Sequence, residues 1–302
     1  MKHPPDIDDL PKGINRSRPL PDEQLGALWN SIIIDEASKT RLLSQAVLNF
    51  TLRAKVPREV IPLHGVILLV GPPGTGKTSL ARGLAHRTAL SFPRSNFRLL
   101  EVEPHILTSS AMGKTQRSVS DLFSQAIAEA AASGPTIVLL DEVETLAADR
   151  SKMSLEANPI DIHRATDAVL VQLDSLAEKF PNLLFLATSN FPEAVDSAFT
   201  SRCDLVMPIP LPSAEGCSLI LKDCLRGLSE AFPDIGKLVR SSQFERCAGE
   251  CVGLDGRAIR KVVANALASN AQTAMNPEQV TIDDLLAAVI AARKSRTRGA
   301  SK

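Results

Sequence analysis

At 302 residues and 32.4 kDa the chain exceeds most single domains, which predicts one large domain, a smaller companion and ample length for a buried core. Hydrophobic residues at 44% and charged residues at 23% exclude a disordered, collagen-like or disulfide-scaffold protein. Lys and Arg (34) balance Asp and Glu (34), so no net field draws the molecule to nucleic acid or to an anionic membrane.

Residues 1–24 carry Pro4, Pro5, Pro11, Pro19 and Pro21 among charges, a composition that predicts an extended arm burying little surface. No apolar leader segment opens the chain, and no stretch approaches the roughly 20 apolar residues of a membrane span; the expected location is cytoplasmic. From Trp29 to Ala54 the apolar positions Ile33, Ile34, Leu42, Leu43, Val47 and Phe50 fit a short strand-like run followed by an amphipathic helix. After a breaker at Pro57 to Pro62, short apolar runs follow at Val66 to Val70, Phe97 to Val102, Thr136 to Leu140, Leu183 to Ala187 and Leu205 to Ile209. They have the length and branching of buried strands. Helix-period segments lie between them, such as Thr115 to Ala132 and Arg164 to Lys179. This alternation predicts an α/β fold with a parallel sheet of five strands between helices.

Gly71-Pro72-Pro73-Gly74-Thr75-Gly76-Lys77-Thr78 follows the first of those strands and opens a helix, which is the full GxxxxGK(S/T) phosphate loop in its proper context. Its glycines let successive backbone N–H groups face phosphate oxygens, Lys77 would reach the β and γ phosphates of ATP, and Thr78 would ligate Mg²⁺. At Ile137-Val138-Leu139-Leu140-Asp141-Glu142 a buried strand runs into two carboxylates. Asp141 would hold the Mg²⁺ shell and Glu142 would activate the attacking water. Asn190, closing Ala187-Thr188-Ser189-Asn190, is positioned to orient that water, although a polar strand end is also an ordinary turn former.

Arg202 looks like an arginine finger for a neighbouring subunit, and Arg257 in Gly253-Leu254-Asp255-Gly256-Arg257 like a cis γ-phosphate contact; each alone reads equally well as a surface salt bridge. Beyond Pro212 the strands stop and helical patterns succeed one another, including a capping box at Thr281 and Asp284, which predicts a small all-helical lid. The expected divisions are an arm (1–24), a nucleotide-binding domain (25–211), a lid (212–292) and a basic, solvated tail (293–302). Cys203, Cys217, Cys224, Cys247 and Cys251, odd in number and without CxxC pairs, predict free thiols in a reducing compartment, and the scattered histidines argue against zinc.

Taken together these motifs resemble the AAA+ ATPases from Trp29 to Ala292. The details of Trp29 to Asp35, Asp141-Glu142-Val143-Glu144, Thr188-Ser189-Asn190, Ser201-Arg202-Cys203-Asp204 and Gly253 to Arg257 resemble its HORMA-remodelling branch, the pachytene checkpoint and thyroid-receptor-interactor-thirteen type. The resemblance implies a homo-hexameric ring that uses ATP hydrolysis to open closed HORMA-domain proteins. Eukaryotic members carry a folded N-terminal adaptor domain, whereas only the proline-rich arm precedes Trp29 here. The chain is thus similar to compact bacterial members of CBASS anti-phage operons, in which the ATPase restrains a cyclic-oligonucleotide synthase through its HORMA protein. The resemblance also places a substrate-gripping pore loop at Ala111, Met112 and Gly113, with Ala111 where most relatives have an aromatic, which implies a weak or short pull. A second pore loop falls at Ala157 to Arg164, where Pro159 favours a loop.

Two other classes remain open on the sequence. A DNA-associated loader would use Arg293 to Arg298, against the flat charge balance, and a nucleotide-gated scaffold without turnover would not need Glu142, Asn190 and Arg202.

Overall fold

The computed structural model describes residues 10–102, 114–147 and 159–300. By residue contact the chain divides into two units: one holds the chain up to Gly71 together with Lys77–Ile209, the other Pro72–Gly76 together with the chain from Pro210 onward.

The first unit is built on a six-stranded sheet. Its strands are β1 (Ile14–Leu20), β2 (Val66–Val70), β3 (Phe97–Val102), β4 (Thr136–Leu140), β5 (Leu183–Ser189) and β6 (Leu205–Pro208), in the order β1-β3-β4-β5-β2-β6. The five runs read from the sequence are the parallel strands, and β1 adds an antiparallel sixth along β3. Every residue of β2 and β4 is buried, as expected for strands covered on both faces. Alternation assigns Leu68, Val138 and Phe185 to one core, with Phe123 and Leu173, and Ile67, Ile137 and Leu184 to the other, with Leu80 and Leu84.

Helices α1 (Glu23–Ser31), α2 (Glu36–Leu52) and α3 (Lys77–Leu90) lie in the N-terminal half. A continuous run α4 (Lys114–Asp121, Leu122–Ile127, Ala128–Ser133), whose middle segment is π-helical, and α5 (Pro159–Lys179) follow, with the short α6 (Ser197–Thr200) before β6.

Three local expectations are corrected. The proline-rich arm does bury surface: Ile14 and Leu20 are 8% and 6% exposed. The strand it forms lies at the sheet edge, where Pro19 forfeits no ladder hydrogen bond that the fold requires. Ile33 and Ile34 form no strand, because Asp22 caps α1 and Asp35 caps α2, leaving the isoleucines as the connector between two helices. The second pore-loop segment is helical from Pro159, since proline fits a first helical turn, whose N–H has no intrahelical partner. Ala157 and Asn158 lie outside the described residues.

The second unit is helical: α7 (Ala214–Ser229), a 3₁₀ segment (Pro233–Arg240), α8 (Phe244–Glu250), α9 (Gly256–Leu267), α10 (Ala271–Met275) and α11 (Ile282–Ala300). Cys217, Leu221, Phe244, Cys247, Ile259 and Val289 are among its fully buried side chains. The capping box is reciprocal, with Thr281 N donating to Asp284 Oδ2 at 2.9 Å and Asp284 N to Thr281 Oγ1 at 3.2 Å. The tail continues α11 as far as Ala300, with Arg293 and Arg296 exposed, Arg293 paired to Glu250 and Arg296 bonded to Gly253 O. All five cysteines are free thiols, and burial pushes Cys203 and Cys251 up to about 12. Among the described residues no helix is long and apolar enough to cross a membrane.

Candidate active site

The parallel register of β2, β5 and β4 brings their carboxyl ends to one edge, and the predicted residues emerge there. Between β2 and α3 the chain must curl tightly. A Cβ on Gly71 would stand 2.2 Å from Ile209 O, and Gly76 has φ +93°, so neither position accepts a side chain without strain. Thr75 Oγ1 pins the turn by donating to Pro72 O at 3.0 Å. α3 begins at Lys77, and the N-terminus of a helix is a favourable site for an anion. Lys77 is buried at 5% exposure, and its Nζ donates to Gly71 O and to Asn190 Oδ1, both at 2.8 Å.

Asn190 also faces the acids. Its Nδ2 donates to Glu142 Oε1 at 3.1 Å, and its backbone N–H donates to Glu144 Oε1 at 3.1 Å. Asp141 Oδ1 accepts from Thr78 Oγ1 at 2.8 Å and from Thr188 Oγ1 at 2.5 Å. Thr188 Oγ1 in turn accepts the Glu142 N–H at 3.1 Å. Glu142 has φ 53° and ψ 55°, and it is the one non-glycine with positive φ among the described residues. Lys77, Thr78, Asp141, Glu142 and Asn190 are therefore brought together, as their motifs predicted. Thr188 and Glu144 join them without having been singled out. Both lie inside the quoted motifs, but a threonine within a strand and a third acid after a pair carry no separate signal.

The donor set suits magnesium. The Thr78 hydroxyl and Asp141 carboxylate are hard oxygens already within 2.8 Å of each other.

The two arginines have partners of their own. Arg202 Nε and Nη2 grip Asp174 of α5 at 2.9 and 2.7 Å, and Nη1 donates to Ala198 O at 2.8 Å. The structure thus makes the salt-bridge alternative for Arg202 within its own chain. These bonds hold the Asp174 carboxyl below its ordinary value and raise Arg202. His64 Nε2 lies 3.5 Å from Asp174 Oδ1, and burial holds that imidazole below its ordinary value, with Arg58 adding to the effect. Arg257 is exposed in the first turn of α9, behind the cap formed by Asp255, and its backbone N–H donates to Gly74 O at 3.2 Å within the second unit. Ala111, Met112 and Gly113 lie outside the described residues.

A phosphate loop, a strand-end acid pair and a polar sensor on the strand inserted between them define a P-loop nucleoside triphosphatase. The model of the ATPase family associated with various cellular activities (AAA) matches residues 67–211. CD-NTase-associated protein 6 of Pseudomonas aeruginosa is 69% identical over 99% of this chain and 98% of its own length. A pachytene checkpoint protein 2 homolog of Oryza sativa subsp. indica is 33% identical over 83% of this chain, and the chain spans 60% of that relative. The solved E. coli MS115-1 HORMA:CdnC:Trip13 complex contains a chain with the same fold: TM-score 0.71, 20% identity, 95% of this chain and 97% of that one covered. This chain belongs to the AAA ATPase family, alongside CD-NTase-associated protein 6, and is an ATPase.

Proposed function

We propose that the chain is a hexameric, magnesium-dependent ATPase that opens closed HORMA-domain proteins and so restrains a CBASS cyclic-oligonucleotide synthase in anti-phage defence. The observation that carries this reading is the 69% identity to CD-NTase-associated protein 6 along nearly the whole of both chains. The relative solved in complex with HORMA and CdnC supports the choice of partner.

In this reading Gly71 to Thr78 cradle the triphosphate of ATP, and Thr78 and Asp141 hold the magnesium ion, which neutralises phosphate charge when bound. Glu142 takes the proton of the attacking water, and Asn190, hydrogen-bonded to both Lys77 and Glu142, aligns that water with the γ-phosphate. Arg202 exchanges Asp174 for the γ-phosphate of the next subunit, Arg257 acts in cis, and Ala111, Met112 and Gly113 contact substrate in the channel. The division into a nucleotide-binding domain and a helical lid follows the same reading. The absence of a membrane-crossing helix among the described residues supports a cytoplasmic location. A DNA contact through the C-terminal basic residues is disfavoured, because Arg293 and Arg296 are already engaged by Glu250 and Gly253.

The test is steady-state ATPase activity with and without a HORMA-domain protein, together with a DNA gel shift. Turnover stimulated by the HORMA protein and no shifted DNA is the expected result. Absent turnover would favour the scaffold, and a shifted band the loader.

A further inference from the structure

We propose that Thr188 is a positioning residue for hydrolysis: its single buried hydroxyl sets both acids at the end of β4. The inference rests on the reading of Asp141 and Glu142 given above. Thr188 is 2% exposed on β5, paired with Leu69 of β2 in the parallel register, so its hydroxyl has no access to bulk water. A hydroxyl offers one donor and two acceptor sites, and here it uses both functions. It accepts from Glu142 N at 3.1 Å and donates to Asp141 Oδ1 at 2.5 Å.

Each bond answers a specific need. Glu142 departs from the strand into the left-handed region, with φ 53°, a conformation that side chains other than glycine adopt only where the surroundings enforce it. In that conformation its N–H leaves the ladder, and the Thr188 hydroxyl is the partner that replaces a strand carbonyl. The second bond concerns Asp141, whose Oδ1 is shared by the hydroxyls of Thr78 and Thr188. If Thr78 turned toward a metal ion, Thr188 would remain as the donor that keeps the carboxylate aimed. One hydroxyl therefore couples the orientation of the metal-side acid to the backbone of the general base. Valine has nearly the shape of threonine and can supply neither bond.

The experiment compares Thr188→Val, Thr188→Ser and Thr188→Ala with wild type in ATPase kcat, KM and magnesium dependence, with fluorescent ADP binding and thermal melting as controls for folding. Losing hydrogen bonds to a charged group and to a strained amide is expected to lower kcat about 10- to 100-fold in Thr188→Val and Thr188→Ala. In both variants the magnesium midpoint should rise while ADP binding persists. Thr188→Ser should recover kcat to within about threefold of wild type, because only the hydroxyl is needed. If Thr188→Val fails to fold, the Ser and Ala pair decides, since the two differ only in that oxygen. Equal losses in Ser and Ala, or a folded Thr188→Val with near-normal kcat, would overturn the proposal. Glu142→Gln in the same assay separates the two claims: its inactivity beside an active Thr188→Val would overturn the Thr188 inference alone, and its normal turnover would overturn the reading of the acids.

Discussion

Asn190 joins the positive and negative halves of the site with one amide, its Oδ1 on Lys77 and its Nδ2 on Glu142. An amide meets both demands, accepting from one partner and donating to the other. Replacing Glu142 by Gln keeps the bond to Asn190 but removes the group that takes the proton. Nucleotide binding should persist while hydrolysis falls by a factor on the order of 100 or more, read by single-turnover kinetics. His64 offers a pH test at the edge of the same unit. Its folded pKa lies below the ordinary 6.5, so the unfolded chain binds the proton more readily and stability is lost as pH falls below that value. Between about pH 7 and pH 5.5 the melting temperature should fall more in wild type than in His64→Gln. Equal slopes would remove His64 from the account. The contiguous strings Gly71 to Thr78 and Asp141-Glu142 were legible because neighbours in sequence do the work. Asp174 and Thr188 were not, since their partners lie 28 and 47 positions away and only folding brings them together.

The strands of the parallel sheet could be read because burial on both faces leaves nearly uninterrupted apolar runs such as Val66 to Val70. β1 could not, because its buried residues Ile14 and Leu20 stand at its two ends and Arg16, Arg18 and Pro19 lie between them, so the segment resembles a solvated arm. Its contribution is measurable. Leu20→Ala, which empties a site 6% exposed in the core beneath the sheet, should cost about 2–3 kcal/mol in urea unfolding. Arg16→Ala, at an exposed position on the same strand, should change stability by less than about 0.5 kcal/mol. Comparable effects would mean that β1 is a passive arm after all. In α4 the sequence showed the apolar stripe of Val119, Leu122, Phe123 and Ile127 but not the π-helical turn that carries it. Helical period fixes which face is buried more firmly than it fixes the local hydrogen-bond register.

At the scale of the whole molecule, Arg202 is a guanidinium engaged by Asp174 of its own chain. If Arg202 serves the next subunit, Arg202→Ala should abolish hydrolysis with binding nearly intact. Mixed rings of Arg202→Ala and Glu142→Gln subunits should then recover activity at interfaces that pair an intact finger with an intact base. Intact rings whose mixtures never exceed the sum of their parts would assign Arg202 to the salt bridge alone. The central claim, that hydrolysis is coupled to opening a HORMA protein, is tested most directly by mixing a preformed, closed HORMA complex with ATP and either wild type or Glu142→Gln, then resolving the products by size-exclusion chromatography. Wild type should separate the complex in an ATP-dependent manner while Glu142→Gln leaves it whole; a wild-type enzyme that hydrolyses ATP yet leaves the complex intact, or equal separation by both proteins, would contradict the account.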